Sequence, residues 1–287
     1  MLRKLTTFQK IIIHIVLVIC VILTVMPVVL VLFASLNKNS ASMVSTSLIP
    51  NISDLSLGNY KRLFEETYFV QWVLNTVFVS VFSSVVALTV TAFAGYAFSR
   101  FKFWGRKNGL MTMNLLQMFP GAMAMVAMFA ILQYLGKLTG GVVGLNSLVG
   151  LALIYIGGGI PFNTWMIKGY VDALPKELEE SAMIDGATPT QTFIKIILPL
   201  MSPILAVVAI FNFISPYGDF IFPSVLMFDE QKYTLAVGMQ SFISGNFSTN
   251  WSLFTAGSIL GAIPIMVLFF SLQRFLVEGL TKGAVKG

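Results

Sequence analysis

Charged residues cut this chain into long uncharged runs. The runs lie between Lys10 and Lys38, Glu66 and Arg100, Lys107 and Lys137, Lys137 and Lys168, Lys195 and Asp219, and Lys232 and Arg274. A transmembrane helix needs about 20 mostly apolar residues. The pattern therefore predicts six helices near residues 11–34, 73–98, 110–135, 147–169, 199–220 and 251–275. A membrane barrel would show short segments of alternating polarity instead. Backbone groups in lipid must be satisfied within the protein, so helices are the expected spanning element. The fold class read from this pattern is an all-α membrane protein.

Composition agrees with the pattern. Only 10% of the 287 residues are charged and 56% are hydrophobic, against roughly 25% charged in soluble domains. Lys and Arg then give an orientation. With the N-terminus inside, the inner segments carry Arg3, Lys4, Lys10, Arg100, Lys102, Arg106, Lys107, Lys168, Lys176, Lys195, Arg274, Lys282 and Lys286. The outer loops keep Lys38, Lys61, Arg62, Lys137 and Lys232. Both termini are thus expected in the cytoplasm. The first apolar run is too long for a signal-peptide core and is read as a retained helix. The net charge of +6 is accounted for by this topology, so no nucleic-acid partner is expected. Cys20, the only cysteine, lies inside the first run, which leaves no disulfide framework or metal cluster to expect. His14, the only histidine, shares that run and is read as a membrane-edge residue.

The most informative polar stretch is 175–199, expected on the cytoplasmic side. Pro175 suits a first helical position, and Lys176 to Ile184 supply good helix formers. Leu178, Ala182 and Ile184 offer an apolar side, while Glu177, Glu179 and Glu180 are expected to face polar surroundings. Gly186 fits a helix end in left-handed conformation. Thr188, Pro189 and Gln191 read as the cap, first residue and capping-box partner of a second helix. Phe193, Ile194 and Ile197 give that helix an apolar face, and Pro199 is expected to open the next membrane helix. Read blandly, this is an amphipathic connector on the membrane surface, but that reading does not require the spacing described next.

Glu180, Ser181, Ala182, Gly186, Ile196, Leu198 and Pro199 stand at the intervals E-A-A-x₃-G-x₉-I-x-L-P, with Ser181 in place of the first Ala. The segment resembles the coupling loop of ABC importer permeases. Ser47–Pro50, Ala94–Arg100, Gln117–Pro120, Trp165–Tyr170, Tyr233–Gln240 and Gly279–Gly287 are similar to the smaller permease subunit of maltose-type importers, so the resemblance covers nearly the whole chain. It implies the type I ABC importer permease fold. Residues 1–72 would hold the N-terminal segment, first helix and outer loop, and 73–287 the core permease domain with coupling loop 175–199 and tail 281–287. It implies a heterodimer with a larger homologous permease, two copies of a cytoplasmic ATPase, and an extracytoplasmic sugar-binding protein. Glu180, Ser181, Ala182, Asp185 and Gly186 would contact the ATPase, and tail residues Lys282, Gly283, Lys286 and Gly287 would reach its dimer interface. The chain has no G-x-x-x-x-G-K-[ST] sequence, so no phosphate cradle. ATP and Mg would be bound by the partner ATPase, with no cofactor and no metal in this chain. The expected location is a prokaryotic cell membrane, multi-pass and among membrane lipid.

The stretch 221–250 is too polar and turn-rich to extend the fifth helix. By resemblance it is an outer loop entering the binding protein, with Asn246, Phe247 and Asn250 at its tip. Polar residues inside membrane runs are pathway candidates: Asn114, Gln117, Asn163, Asn212, Tyr217 and Asp219. Pro216 and Gly218 are expected to break the fifth helix beside Asp219. Such residues also bind helices together, the commoner role, and the resemblance implies that the larger partner holds the sugar, so no full sugar site is expected here. Gly257 and Gly261 form a G-x-x-x-G pattern that permits close helix approach. The fifteen Met residues are read as flexible packing. The function expected is a channel subunit of a maltose/maltodextrin-type importer and not an enzyme. The alternatives are the same architecture for another solute such as glycerol phosphate, or a self-contained secondary transporter, which would need inverted repeats and mid-membrane charges.

Overall fold

The computed structural model describes residues 6–38, 54–244 and 250–284. Twelve helices are used below: α1 Thr7–Leu36, α2 Gly58–Glu65, α3 Phe69–Arg100, α4 Arg106–Gln117, α5 Gly121–Leu138, α6 Leu148–Asp172, α7 Glu177–Ile184, α8 Pro189–Leu200, α9 Ser202–Gly218, α10 Ile221–Leu226, α11 Leu235–Gln240 and α12 Trp251–Ala284. Among the described residues the nearest thing to a sheet is one isolated bridge, Asn37 to Leu55.

By length and composition α1, α3, α6 and the Trp251–Phe275 stretch of α12 can each cross a membrane. A fifth crossing is available if α8 and α9, bent by 73° at Met201, are counted together. The helix expected over 110–135 is two helices instead. It breaks at Met118–Pro120, with Pro120 in extended conformation at the start of α5. Proline cannot donate an N–H and disfavours a helical predecessor, so an apolar run need not be one helix. The fifth helix breaks beside Asp219 as expected, at Gly218 rather than at Pro216. α9 runs through Pro216 and ends at Gly218, where Asp219 turns extended. One proline removes one hydrogen bond and kinks a helix; the chain leaves helical geometry only two residues later.

The chain groups into two compact units, Met1–Phe69 with Gly238–Ala262, and Val70–Val237 with Ile263–Gly287. In the first, α2 packs on α1. Tyr60 shares a 2.7 Å hydroxyl contact with buried Ser35, and Asn59 Nδ2 donates to the carbonyls of Ser35 and Asn37. Most of α1 is apolar and exposed, a surface suited to lipid or another chain. Gly257 explains the G-x-x-x-G pattern in part, since a Cβ there would meet Met239 Cε at 2.7 Å.

The second unit holds the core. One cluster joins Ala92 and Tyr96 of α3, Ile167 and Val171 of α6, Phe193 and Ile197 of α8, Met201 and Val208. α3 and α6 approach closely at Gly95, where a Cβ would sit 2.5 Å from Ile167 Cγ2 and 3.1 Å from the Lys168 backbone nitrogen. A second cluster joins Val79, Leu132, Leu151, Ala152, Leu226 and Met227. The polar stretch after α9 forms α10, a 3₁₀ turn at Glu230–Lys232 and α11. Side chains of α3 hold this stretch. Trp72 Nε1 donates to the Glu230 carbonyl, Asn75 Nδ2 to those of Gln231 and Tyr233, and Thr76 Oγ1 accepts from Leu235 N. Buried backbone groups outside regular helix thereby find partners.

Candidate functional site: an anchored coupling helix and a polar cleft

Two places in the second unit collect the candidate residues. The first is the helix–break–helix of α7 and α8. α7 begins at Glu177, so Pro175 stands before the helix and Lys176 is its cap. Three acidic residues fill the first turn, where the helix dipole favours them. Gly186 ends the helix with φ +84°. The Ala187 and Gly186 amides close on the carbonyls of Ala182 and Met183, the Schellman arrangement that a left-handed residue permits. Thr188 then caps α8. Its side chain accepts from Gln191 N, and Gln191 Oε1 accepts from Thr188 N. Phe193–Ile197 widen into a π turn, with Leu198 N–H reaching back to the Phe193 carbonyl. Pro199 cannot serve the carbonyl of Lys195, and a widened turn is a common answer to such a gap. Pro199 lies within α8; the next helix opens at Ser202, with Pro203 in its first turn.

The orientation of α7 corrects one expectation. Glu179 is not on a polar face: it is buried, and its Oε1 lies 2.6 Å from Arg100 Nε, with both side chains nine-tenths buried or nearly so. Arg100 Nη2 also donates to the Leu174 carbonyl at 2.9 Å, and Tyr96 Oη lies 3.5 Å from Glu179 Oε2. Beside this pair, Ser99 Oγ donates to Asp172 Oδ1, Lys168 Nζ binds Asp172 Oδ2, and Arg106 donates to the carbonyls of Phe98 and Ser99. The last turn of α3 is therefore tied to α7 through Arg100–Glu179 and to α6 through Ser99–Asp172, by charge-assisted bonds, the stronger class. Sequence reasoning missed Glu179 and Arg100 as a pair. The hint was an acidic residue on the side of α7 that carries Ala182.

The opposite side of α7 is free. Glu180, Ser181, Asp185 and Gly186 are exposed, with Met183 51% and Ile184 86% exposed. Ala182 is buried at 7%, so the third position of the motif faces the core, whereas the Ala-to-Ser change at Ser181 falls on open surface. Ile196 and Leu198 pack against the core cluster. The motif's intervals thus combine a core contact, a left-handed turn and an outward face.

The second place is a cleft of about 710 Å³ lined from α3, α5, α6, α9 and α10. Asn163, Asn212 and Asp219 line it, with Asn163 Nδ2 donating to Asn212 Oδ1 at 2.6 Å and Tyr155 Oη donating to Asp219 Oδ2 at 2.7 Å. Tyr217 does not line it; it is buried and stacks on Phe213. Asn114 and Gln117 lie exposed on α4, away from the cleft lining. Asn250 accepts from Leu253 N at the start of α12. Asn246, Phe247, Lys286 and Gly287 fall outside the described residues, and Lys282 and Gly283 lie in the last turns of α12.

The described residues form an apolar, helical protein with an anchored helix–break–helix between candidate membrane spans. Residues 87–282 match the family described as "Binding-protein-dependent transport system inner membrane component", and the chain belongs to that family. It is a transport component of an ABC importer, a bacterial membrane protein. It is 40% identical over 268 residues to the maltodextrin transport system permease protein MdxG of Bacillus subtilis, covering 92% of this chain and 94% of the relative. It is 41% identical to the galactooligosaccharides transport system permease protein GanQ of the same organism, covering 93% and 92%. It is 40% identical to the maltose/maltodextrin permease protein MalG of Escherichia coli, covering 75% and 72%. The fold is similar to a chain of a bacterial ABC transporter that imports the acidic polysaccharide alginate, with TM-score 0.78, 20% identity, and 95% and 99% coverage. A chain of the MetNI methionine ABC transporter aligns with TM-score 0.57 at 19% identity, covering 73% and 95%.

Proposed function

We propose that this chain is the smaller channel-forming subunit of an ATP-driven oligosaccharide importer of the maltodextrin class. It pairs with a larger homologous permease, two copies of an ATPase and an extracytoplasmic sugar-binding protein. Its termini and residues 175–199 face the cytoplasm, as the distribution of Lys and Arg supports. The observation that carries the reading is the two-sided α7. One side is ion-paired through Glu179 to Arg100, and the other presents Glu180, Asp185, Met183 and Ile184 to solvent. A rigid helix with a free amphipathic face is what a groove on a moving ATPase can grip. Motion of that groove would pass through Arg100, Tyr96 and the core cluster into α3, α6 and α9. ATP and Mg act on the ATPase, and this chain moves a proton at no atom and breaks no bond.

The sugar class rests on relatives named for maltodextrins and for galactooligosaccharides; oligosaccharides are what those names share. The test is reconstitution of the complete transporter in proteoliposomes with radiolabelled maltotriose. ATP-dependent accumulation is expected. Glu180→Lys together with Ile184→Asp should abolish co-purification of the ATPase while the permease pair still assembles. Undiminished ATPase recovery would overturn the coupling assignment, and accumulation of no oligosaccharide would overturn the sugar class.

A further inference from the structure

The cleft between α6 and α9 has features that helix packing alone does not explain. Asn212 gives its Oδ1 to Asn163, and its own Nδ2 is buried with no partner. Buried polar atoms nearly always have partners, so each exception calls for an account. Pro161 and Pro216 lie inside α6 and α9. Each withholds the helical N–H from the carbonyl four residues earlier, those of Gly157 and Asn212. Three glycines stand in a row at 157–159. A Cβ on Gly157 or Gly158 would meet nothing within 4 Å, while one on Gly159 would lie 3.1 Å from Asn163 Nδ2 and 3.2 Å from Asn212 Oδ1. Gly158 and Gly159 line the cleft, and Gly159 lets the asparagine pair lie flush with it. Phe162 and Phe211 line the cleft and are 51% and 52% exposed.

The Asn212 carbonyl relieved of its donor, the unpartnered Asn212 amide N–H, and aromatic faces around a bare backbone form one chemical set. It matches a neutral chain of hydroxyls set on apolar ring faces. A cation would want the carbonyl without the amide N–H, and an apolar ligand would want neither. Ligand sites are largely apolar clefts of roughly 300–1,000 Å³ with a few convergent polar groups, and this one falls within that range at about 710 Å³.

We infer that this subunit itself carries a saccharide subsite, floored by Gly158 and Gly159, with Asn212 as hydrogen-bonding group and Phe162 and Phe211 as ring platforms. This rests on the oligosaccharide reading above. It goes beyond it by assigning sugar contact to this chain, where the resemblance placed the sugar on the larger partner.

The test uses the complete transporter in proteoliposomes, with labelled maltotriose. Gly158→Leu has room for its side chain and fills the groove. It should lower uptake by about tenfold or more while assembly and binding-protein-stimulated ATP hydrolysis stay near wild type. Asn212→Asp keeps the acceptor for Asn163 and removes the free donor, and it should lower uptake by about fivefold. For direct contact, Gly158→Cys in a Cys20→Ser background is labelled with a hydrophilic thiosulfonate during turnover; maltotriose should slow labelling by about fivefold. Unchanged uptake in both groove variants, or labelling indifferent to maltotriose, would overturn the subsite. So would failure of Gly158→Leu to assemble, or a Gly158→Cys thiol closed to reagent in the intact complex, because the groove would then be a seat for the partner permease. Absence of oligosaccharide uptake by the wild type would instead overturn the reading beneath it.

Discussion

At the residue scale the decisive contact is the one between Arg100 and Glu179. It is buried, short and satisfied on both sides, with Leu174, Tyr96 and Ser99 taking further bonds. A buried pair is weak evidence for net stability, but breaking one side strands the other charge at a cost of about 3–5 kcal/mol. Glu179→Met or Arg100→Met should therefore lower the thermal midpoint of the purified complex, and the double change to Met at both positions should recover much of the loss. Thermal unfolding of the four proteins forms a double-mutant cycle, and additive losses would show that the pair is not coupled. The same variants should retain ATPase binding, because α7's outer face is untouched, yet transport less per ATP hydrolysed. Gly95 is a second residue whose identity is forced. Its absent Cβ is the space occupied by Ile167, and Gly95→Ala should cost about 1–3 kcal/mol as an overpacked contact, read in the same melt. Glu179's partner stands 79 residues away in the chain, so no local periodicity could reveal which of three nearby glutamates turns inward.

Among the elements, the α7–α8 segment was the most legible part of the chain. Gly186, Thr188, Pro189 and Gln191 are local signals, and each has the conformation or bond expected of it. Backbone conformation at a break is set by the residues at the break, which is why the sequence suffices there. The helix limits around it were less legible. The bend at Met201 answers to core packing of Phe193, Ile197 and Met201, which only the folded chain defines. Likewise Met118–Pro120 sits in an uncharged run, and lipid or protein surroundings remove the polar residues that mark a break in a soluble protein. The cap makes a prediction at this scale. Thr188→Ala removes the side-chain acceptor of Gln191 N and should cost α8 about 1 kcal/mol. Hydrogen exchange in the first turn of α8 should then quicken by roughly fivefold while α7 keeps its protection. Equal quickening in both would show that they open as one unit.

For the whole molecule, the lengths of the helices argue for parts that lie beyond the membrane. α12 has 34 residues and α3 has 32. At 1.5 Å per residue these reach roughly 51 and 48 Å, against a hydrocarbon thickness of about 30 Å. The uncharged run of α12 ends at Arg274. The helix then continues to Ala284, so its last two turns extend past the hydrophobic layer. On the orientation proposed above, that extension would lie in the cytoplasm, the side on which α7 would meet an ATPase. A helical strut of this kind can touch a second surface of the ATPase, separate from the grip on α7. Deleting 281–287 should leave insertion, permease pairing and ATPase recovery intact, because the anchored α7 remains. ATP-coupled uptake should nevertheless fall, by about tenfold if the strut times closure of the ATPase. Parallel measurement of ATPase recovery and uptake in proteoliposomes separates the two contacts. Wild-type uptake after the deletion would confine the coupling to α7, and loss of ATPase recovery would make the strut part of the docking surface itself.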